Sequence, residues 1–281
     1  MTSLSPLADF SLGVSGKDVG DLERARPAIP PGTRVHMGFL DSEDQETRLA
    51  TARAVRGLGF MPVPLIAARR LKSDEMLREY LAGLRAAGAS ERVTVVAGDP
   101  AHPRGPYPDS ASVIGSGLLE EYGVRQVSVA GHPGGHPAVP DGVLWPALAG
   151  KTAALAQRGL VAGVSTQFGF DADVVLAWLA ELRARGIGVP VRVGVPGPAG
   201  VRRLLAYASR CGVTVSEDVA SKYGFSLSDP SGTAGPGRFI RALAAGYDAR
   251  LHGEVRLHFF PFSGIPATAA WISEFREHPG S

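Results

Sequence analysis

The chain has 281 residues, 29 Lys and Arg against 27 Asp and Glu, a net charge of +2 and a hydrophobic fraction of 44%. That is enough chain for one large domain with a substantial core, and the scattered basic residues argue against a nucleic-acid partner. The apolar runs fall far short of the ~18 residues that cross a membrane. Met1 to Phe10 lacks the basic start and apolar centre of a signal peptide, and the single cysteine, Cys211, excludes an internal disulfide or a cysteine zinc cluster. A cytoplasmic location is expected.

Eight strand-like runs follow one another at 9–14, 34–40, 60–66, 92–97, 126–130, 161–167, 190–195 and 255–260. Most are near-continuous apolar runs, the pattern of strands buried on both faces. Helical patterns alternate with them at 17–26, 44–58, 73–87, 112–122, 143–157, 171–185, 199–211 and 265–278. Ser73 and Asp171 are good caps, and Gly123, Gly159, Gly186 and Gly212 are good stops. Eight strands alternating with eight helices predict a single (βα)8 TIM barrel over 1–281. The competing open doubly wound sheet requires a dinucleotide turn after the first strand, and Gly13-Val14-Ser15-Gly16 does not match it. A glycine-rich insertion at 214–238 marks a rim loop, often a lid or a binding loop.

Barrel enzymes carry their chemistry at the C-terminal ends of the strands. The loop at 130–137, Ala-Gly-His-Pro-Gly-Gly-His-Pro, ends the fifth strand and holds His132 and His136. Its prolines and glycines rule out a helix, so the four-residue spacing does not place both rings on one helical face. Asp99, after Gly98, is a carboxylate in the barrel mouth or a cap on the next helix. Gln167 can donate and accept together, which suits the edge of a pterin or flavin ring or a local bond within the barrel. Phe168 and Phe170 are candidate ring stackers or core. Lys151 lies on the fifth helix near the histidine loop, and His258 is a ligand contact or a satisfied core histidine. No trustworthy metal spacing, nucleophile elbow or P-loop occurs.

In order, the pieces Pro64-Leu65-Ile66-Ala67-Ala68-Arg69, Ala97-Gly98-Asp99, 130–137, Lys151, Ser165-Thr166-Gln167-Phe168 with Phe170-Asp171, Val195-Pro196-Gly197 and Leu257-His258-Phe259 resemble the methylenetetrahydrofolate reductase family. The resemblance implies a (βα)8 barrel acting on a C1 unit carried by tetrahydrofolate, with hydride from NAD(P)H, through FAD where that is bound. It implies flavin-side positions at Gly98, Asp99, Ala130, His132, His136 and Lys151, and catalytic roles for Asp99 and Gln167. It places folate contacts at Gln167, Phe168 and His258. The sequence departs from that pattern at three positions: Gly13 stands where the family has its general-acid glutamate, Leu65 where a histidine is usual, and Gly134 where a glutamate is usual. Glycine transfers no proton; Glu217, Asp218 or an ordered water would have to substitute. Two further functions therefore stand beside the reductase: a tetrahydrofolate-dependent C1 transferase or demethylase without redox chemistry, and a non-catalytic folate-binding protein.

Overall fold

The computed structural model of the chain describes residues 7–38 and 43–278. Among them, eight parallel strands close a barrel: β1 (Ser11–Val14), β2 (Arg34–Met37), β3 (Met61–Ala67), β4 (Arg92–Val96), β5 (Gln126–Gly131), β6 (Val161–Phe168), β7 (Val191–Pro196) and β10 (Val255–Phe260), with β10 hydrogen-bonded to both β7 and β1. A short antiparallel ribbon, β8 (Ala199–Gly200) with β9 (Thr233–Ala234), intervenes between the last two barrel strands. The fold expected from the strand and helix count is the fold observed. The first strand starts two residues later than predicted, and positions 39–40 of the second predicted run lie outside the described residues. No helix among the described residues is long and apolar enough to cross a membrane.

Strand alternation decides what lies on each side of the barrel wall. Leu12, Val35, Val93, Val95, Val127, Val129, Val193, Leu257 and Phe259 are buried on the outer face. Amphipathic helices cover them. In α2 (Gln45–Gly57) the buried stripe is Leu49, Ala52 and Val55; in α3 (Asp74–Ala86) it is Leu77, Leu81 and Leu84; in α7 (Ala172–Ala184) it is Val175, Leu179 and Leu182. These spacings of three and four residues are one face of a helix. The Ser73 hydroxyl accepts from the Met76 amide and caps α3, and the Asp171 carboxylate accepts from the Asp173 amide at the start of α7. Helices α1 (Val19–Ala25) and α12 (Ile265–Glu277) pack together. The single helix expected at 112–122 is two pieces, α4 (Ser110–Gly115) and α5 (Leu118–Glu121), because Gly117 takes a left-handed φ of 80° between them.

The inner face is unusually polar and small. The Ser11 hydroxyl lies 3.0 Å from His258 Nδ1, the Thr94 hydroxyl 3.3 Å from His36 Nδ1, and the hydroxyls of Ser128 and Ser165 are 2.8 Å apart. The His36 and His258 rings meet at 4.6 Å although β1 separates their strands. They meet because β1 offers only Ser11 and Gly13 to the interior; a Cβ built on Gly13 would sit 3.6 Å from His258 Nε2. Burial pushes both imidazoles toward the neutral form, His258 down to about 3 and His36 well below its ordinary value, with the nearby arginines acting in the same direction.

The segment after β7 departs from the expected arrangement. The helix read at 199–211 is α8 (Val201–Arg210), but it does not fill the seventh place on the barrel flank. That place against α7 is taken by α10 (Gly237–Gly246) and α11 (Ala249–His252). Helix α8 instead reaches over the barrel mouth. Tyr207 stacks on Phe262, beyond the end of β10, at 4.1 Å and 10° between planes. The Arg203 guanidinium donates to the Phe262 carbonyl at 3.2 Å. At its far end, Gly212 abuts Pro137 of the histidine loop, and the Cys211 thiol, pushed up chiefly by burial, also feels the Asp99 carboxylate. The cap over the mouth therefore begins at residue 199. The chain returns through α9 (Glu217–Tyr223), anchored where the buried Tyr223 hydroxyl donates to the Pro196 carbonyl at 3.2 Å.

Candidate functional site

The C-terminal mouth of the barrel is bounded by the ends of β4, β5, β6 and β10 below and by α8 above. A bulge in β6 shapes its centre. The register between β6 and β7 shifts between Ser165 and Phe168. Gly194 allows the shift, because a Cβ there would lie 2.7 Å from the Phe168 nitrogen and the Thr166 carbonyl. The Gly194 amide donates to the Thr166 hydroxyl at 2.8 Å and fixes the bulge. Bulges re-aim side chains next to sites, and this one sets Gln167 and Phe168 side by side at the mouth. The Gln167 side-chain oxygen accepts from the Phe168 amide at 3.0 Å, a bond that engages the oxygen and not the amide nitrogen.

Phe168 is 3% exposed and belongs to a column of rings. It meets Phe260 at 5.4 Å and Phe262 at 5.0 Å; Phe260 meets His258 at 4.8 Å; Phe262 carries Tyr207 of α8. These edge-to-face and stacked contacts are the favourable geometries for aromatic pairs. The column runs from the histidine pair in the barrel interior to the helix over the mouth. His258, expected as a ligand contact or a core histidine, is 5% exposed and bonded to Ser11, which places it below the mouth in the core.

Three of the expected positions gather around a second space. Ala130, His132 and Lys151 line a cavity of about 360 Å³ between the histidine loop, α6 (Asp141–Gln157) and α7, together with Trp145, Trp178 and Asp141. The two tryptophans stack at 5.6 Å, and the Arg185 guanidinium lies over Trp145 at 4.7 Å. Burial, then the charges of His136 and Lys151, push His132 down to about 4, so its ring is neutral at physiological pH. Burial also pushes Lys151 down, against the pull of Asp109. Trp145 and Trp178 are absent from the positions expected from sequence. Their only signal there is two tryptophans on consecutive helices.

The remaining positions lie elsewhere. The Asp99 side chain is 96% exposed and paired with Arg70 at 3.3 Å, so it stands on the rim. Gly98 turns the chain there with φ 90°. His136 is exposed; its ring meets His132 edge to face at 5.0 Å, and its Nδ1 accepts from the Ala138 amide. Asp218, named as a substitute acid, is held with Asp171 and Asp173 around Lys222, and Glu217 is exposed.

No family model matches the chain. Among solved structures it is similar to the dihydropteroate synthase of Thermus thermophilus, with a TM-score of 0.50 and 17% identity over 97% of this chain and 95% of that one. At that identity the likeness is one of fold. It corrects the resemblance drawn from sequence: the comparison leads to a synthase and not to methylenetetrahydrofolate reductase, and the oxidoreductase assignment falls with it. The physical reason is visible at β1. The motif pieces that carried the resemblance are short strand ends, whereas the acid position is Gly13, where a Cβ would lie 3.6 Å from His258 Nε2. FAD and NAD(P)H were implied by that resemblance, and the fold likeness does not test them.

Proposed function

We propose that the barrel mouth beneath α8 binds the pterin ring of a reduced folate, and that the protein carries out group transfer there without redox chemistry. The observation that carries this reading is the pairing of an amide with a column of aromatic rings at one strand end. Gln167 can donate and accept along the edge of a pterin, which presents an amide and an amino group side by side. Phe260, Phe262 and Tyr207 offer faces to a planar heterocycle. The fold likeness to an enzyme named for dihydropteroate points to the same ligand class. Lys151 and the neutral His132, in the adjoining cavity, are suited to a carboxylate-bearing tail, through a charge-assisted bond in the case of lysine.

A second reading, folate binding without turnover, is favoured by one observation. Asp99, the carboxylate expected to act at the mouth, faces solvent and is engaged by Arg70. Calorimetric titration with tetrahydrofolate tests binding. The expected result is one site per chain, with affinity lowered about tenfold in Gln167→Leu, the worth of one or two lost hydrogen bonds. An absence of binding to any reduced pterin refutes both readings. Transfer of a labelled methyl group from 5-methyltetrahydrofolate to a thiol or amine acceptor, with release of tetrahydrofolate, separates the first from the second.

A further inference from the structure

We propose that the opposite, N-terminal end of the barrel is a binding site for one small tetrahedral oxyanion of the phosphate class. Four arginines stand at the beginnings of strands: Arg34 on β2, Arg92 on β4, Arg192 on β7 and Arg256 on β10. Each precedes by two residues a position on the barrel's inner face, His36, Thr94, Gly194 or His258, so alternation turns all four inward. They converge on a cavity of about 90 Å³ whose inner end is formed by His36 and Ser128, with Gln126 level with Arg92. That is room for roughly three waters at about 30 Å³ each, or for one five-atom oxyanion. It is too small for a nucleotide.

The charges facing this cavity do not balance. Four guanidiniums meet two lining carboxylates, Asp9 and Glu254. Asp9 is shared: Arg34 reaches it at 2.8 Å, Arg192 at 3.0 Å and Arg256 at 3.7 Å. Arg256 also has Glu254 at 3.5 Å, and among the described residues Arg92 pairs with Glu91, its neighbour in sequence, at 3.0 Å. The Nε atoms of Arg34, Arg92 and Arg256 are buried without a hydrogen-bond partner among the described residues, and so is Nε2 of His36. Leaving buried donors unpaired is costly, and four such groups around one cavity define a receptor for an acceptor with several oxygens. Guanidinium forks match that geometry. Burial and mutual repulsion also hold Arg192 down to about 10. A tetrahedral oxyanion would accept from the orphaned Nε groups and from His36, which as a neutral imidazole can turn an Nε2–H toward it while Thr94 donates to Nδ1.

This site lies a strand's length, roughly 20 Å for six residues, from the mouth, and it does not depend on what the mouth binds. Equilibrium dialysis with radiolabelled inorganic phosphate should show one saturable site per chain. Phosphate should also raise the melting temperature more than chloride at the same ionic strength, since a ligand that binds only the folded state stabilises it. Arg92→Gln spares the Asp9 cluster and should weaken phosphate binding at least tenfold; Arg92→Lys, which keeps the charge and loses the fork, should weaken it less. Gln167→Leu at the mouth should leave it unchanged. Non-saturable binding by the parent protein, an equal response to chloride, or unaltered affinity in Arg92→Gln would overturn the proposal. If Arg92→Gln does not fold, the parent's dialysis and the lysine variant decide it.

Discussion

Helix α8 covers the barrel mouth, and Gly212 is the position that tests this most sharply. Gly212 has φ 66° and abuts the ring of Pro137 in the histidine loop. In Gly212→Ala, a left-handed alanine costs about 1–2 kcal/mol, and the methyl overlaps the proline ring, an overpacking of about 1–3 kcal/mol. The overlap vanishes if the end of α8 lifts from the loop, whereas the left-handed cost stays with the last turn of the helix, closed by the Val213 amide on the Ala208 carbonyl; the overlap alone falls on the docking of the cap. A weakening of about 2 kcal/mol multiplies the opening constant by roughly 30, since 1.4 kcal/mol is tenfold. Hydrogen exchange read by mass spectrometry should show the amides of α8 exchanging about that much faster, with α2 and α3 unaltered. Gly57→Ala, at the end of α2 with open space around it, is the control and should be neutral or slightly stabilising. Uniform acceleration over α2, α3 and α8, or none in α8, would refute the picture of a separately docked cap.

Other outcomes follow from the barrel interior and the cavity beside the mouth. Ser11→Ala removes the partner of His258 Nδ1 and should cost about 1–3 kcal/mol, read as a melting temperature lower by about 3–10 °C; a melt within a degree of the parent contradicts the bond. Both interior histidines have folded-state values below the unfolded 6.5, so the unfolded chain binds more protons as the pH falls below about 6.5. The stability these neutral rings contribute is complete above that pH and is lost progressively toward about 3. Urea unfolding at pH 7.5 and 4.5 should show the loss, with a smaller pH dependence in His258→Asn; equal dependence in parent and variant would count against it. Lys151→Met should weaken tetrahydrofolate roughly 10- to 100-fold, the range of a charge-assisted bond, while leaving a pterin without the carboxylate tail unaffected. Equal losses for both ligands would remove Lys151 from the tail site.

The barrel was legible because its outer wall is written in apolar runs and its helices in three- and four-residue spacings. Val255 to Phe260 shows this best, since the predicted and observed strands coincide. The cap was not legible. In α8 the buried residues Val201, Leu204 and Ala208 have the spacing of any amphipathic helix, and periodicity says which face is buried but not against what. Tyr207 and Gly212 carry the answer through contacts with Phe262 and Pro137, residues remote in sequence. Of the site, Gln167 and Phe168 were placed correctly at a strand end, while the bulge that sets them together depends on Gly194 across the sheet. Ala130, His132 and Lys151 do share a cavity. Asp99 was weighted too heavily, because a carboxylate after a buried strand reads the same whether it turns into the mouth or out to solvent. His36, the interior partner of His258, and the arginine ring were missed for a related reason: a polar residue in an apolar run shows its parity only once the sheet closes.

A structure of the protein with tetrahydrofolate tests the central claim most directly. The account predicts the pterin ring beneath α8, with its amide edge within hydrogen-bonding distance of Gln167 and its face against the Phe260, Phe262 and Tyr207 column. A ring seated instead between α6 and α7, or no ligand at saturating concentration, would contradict it.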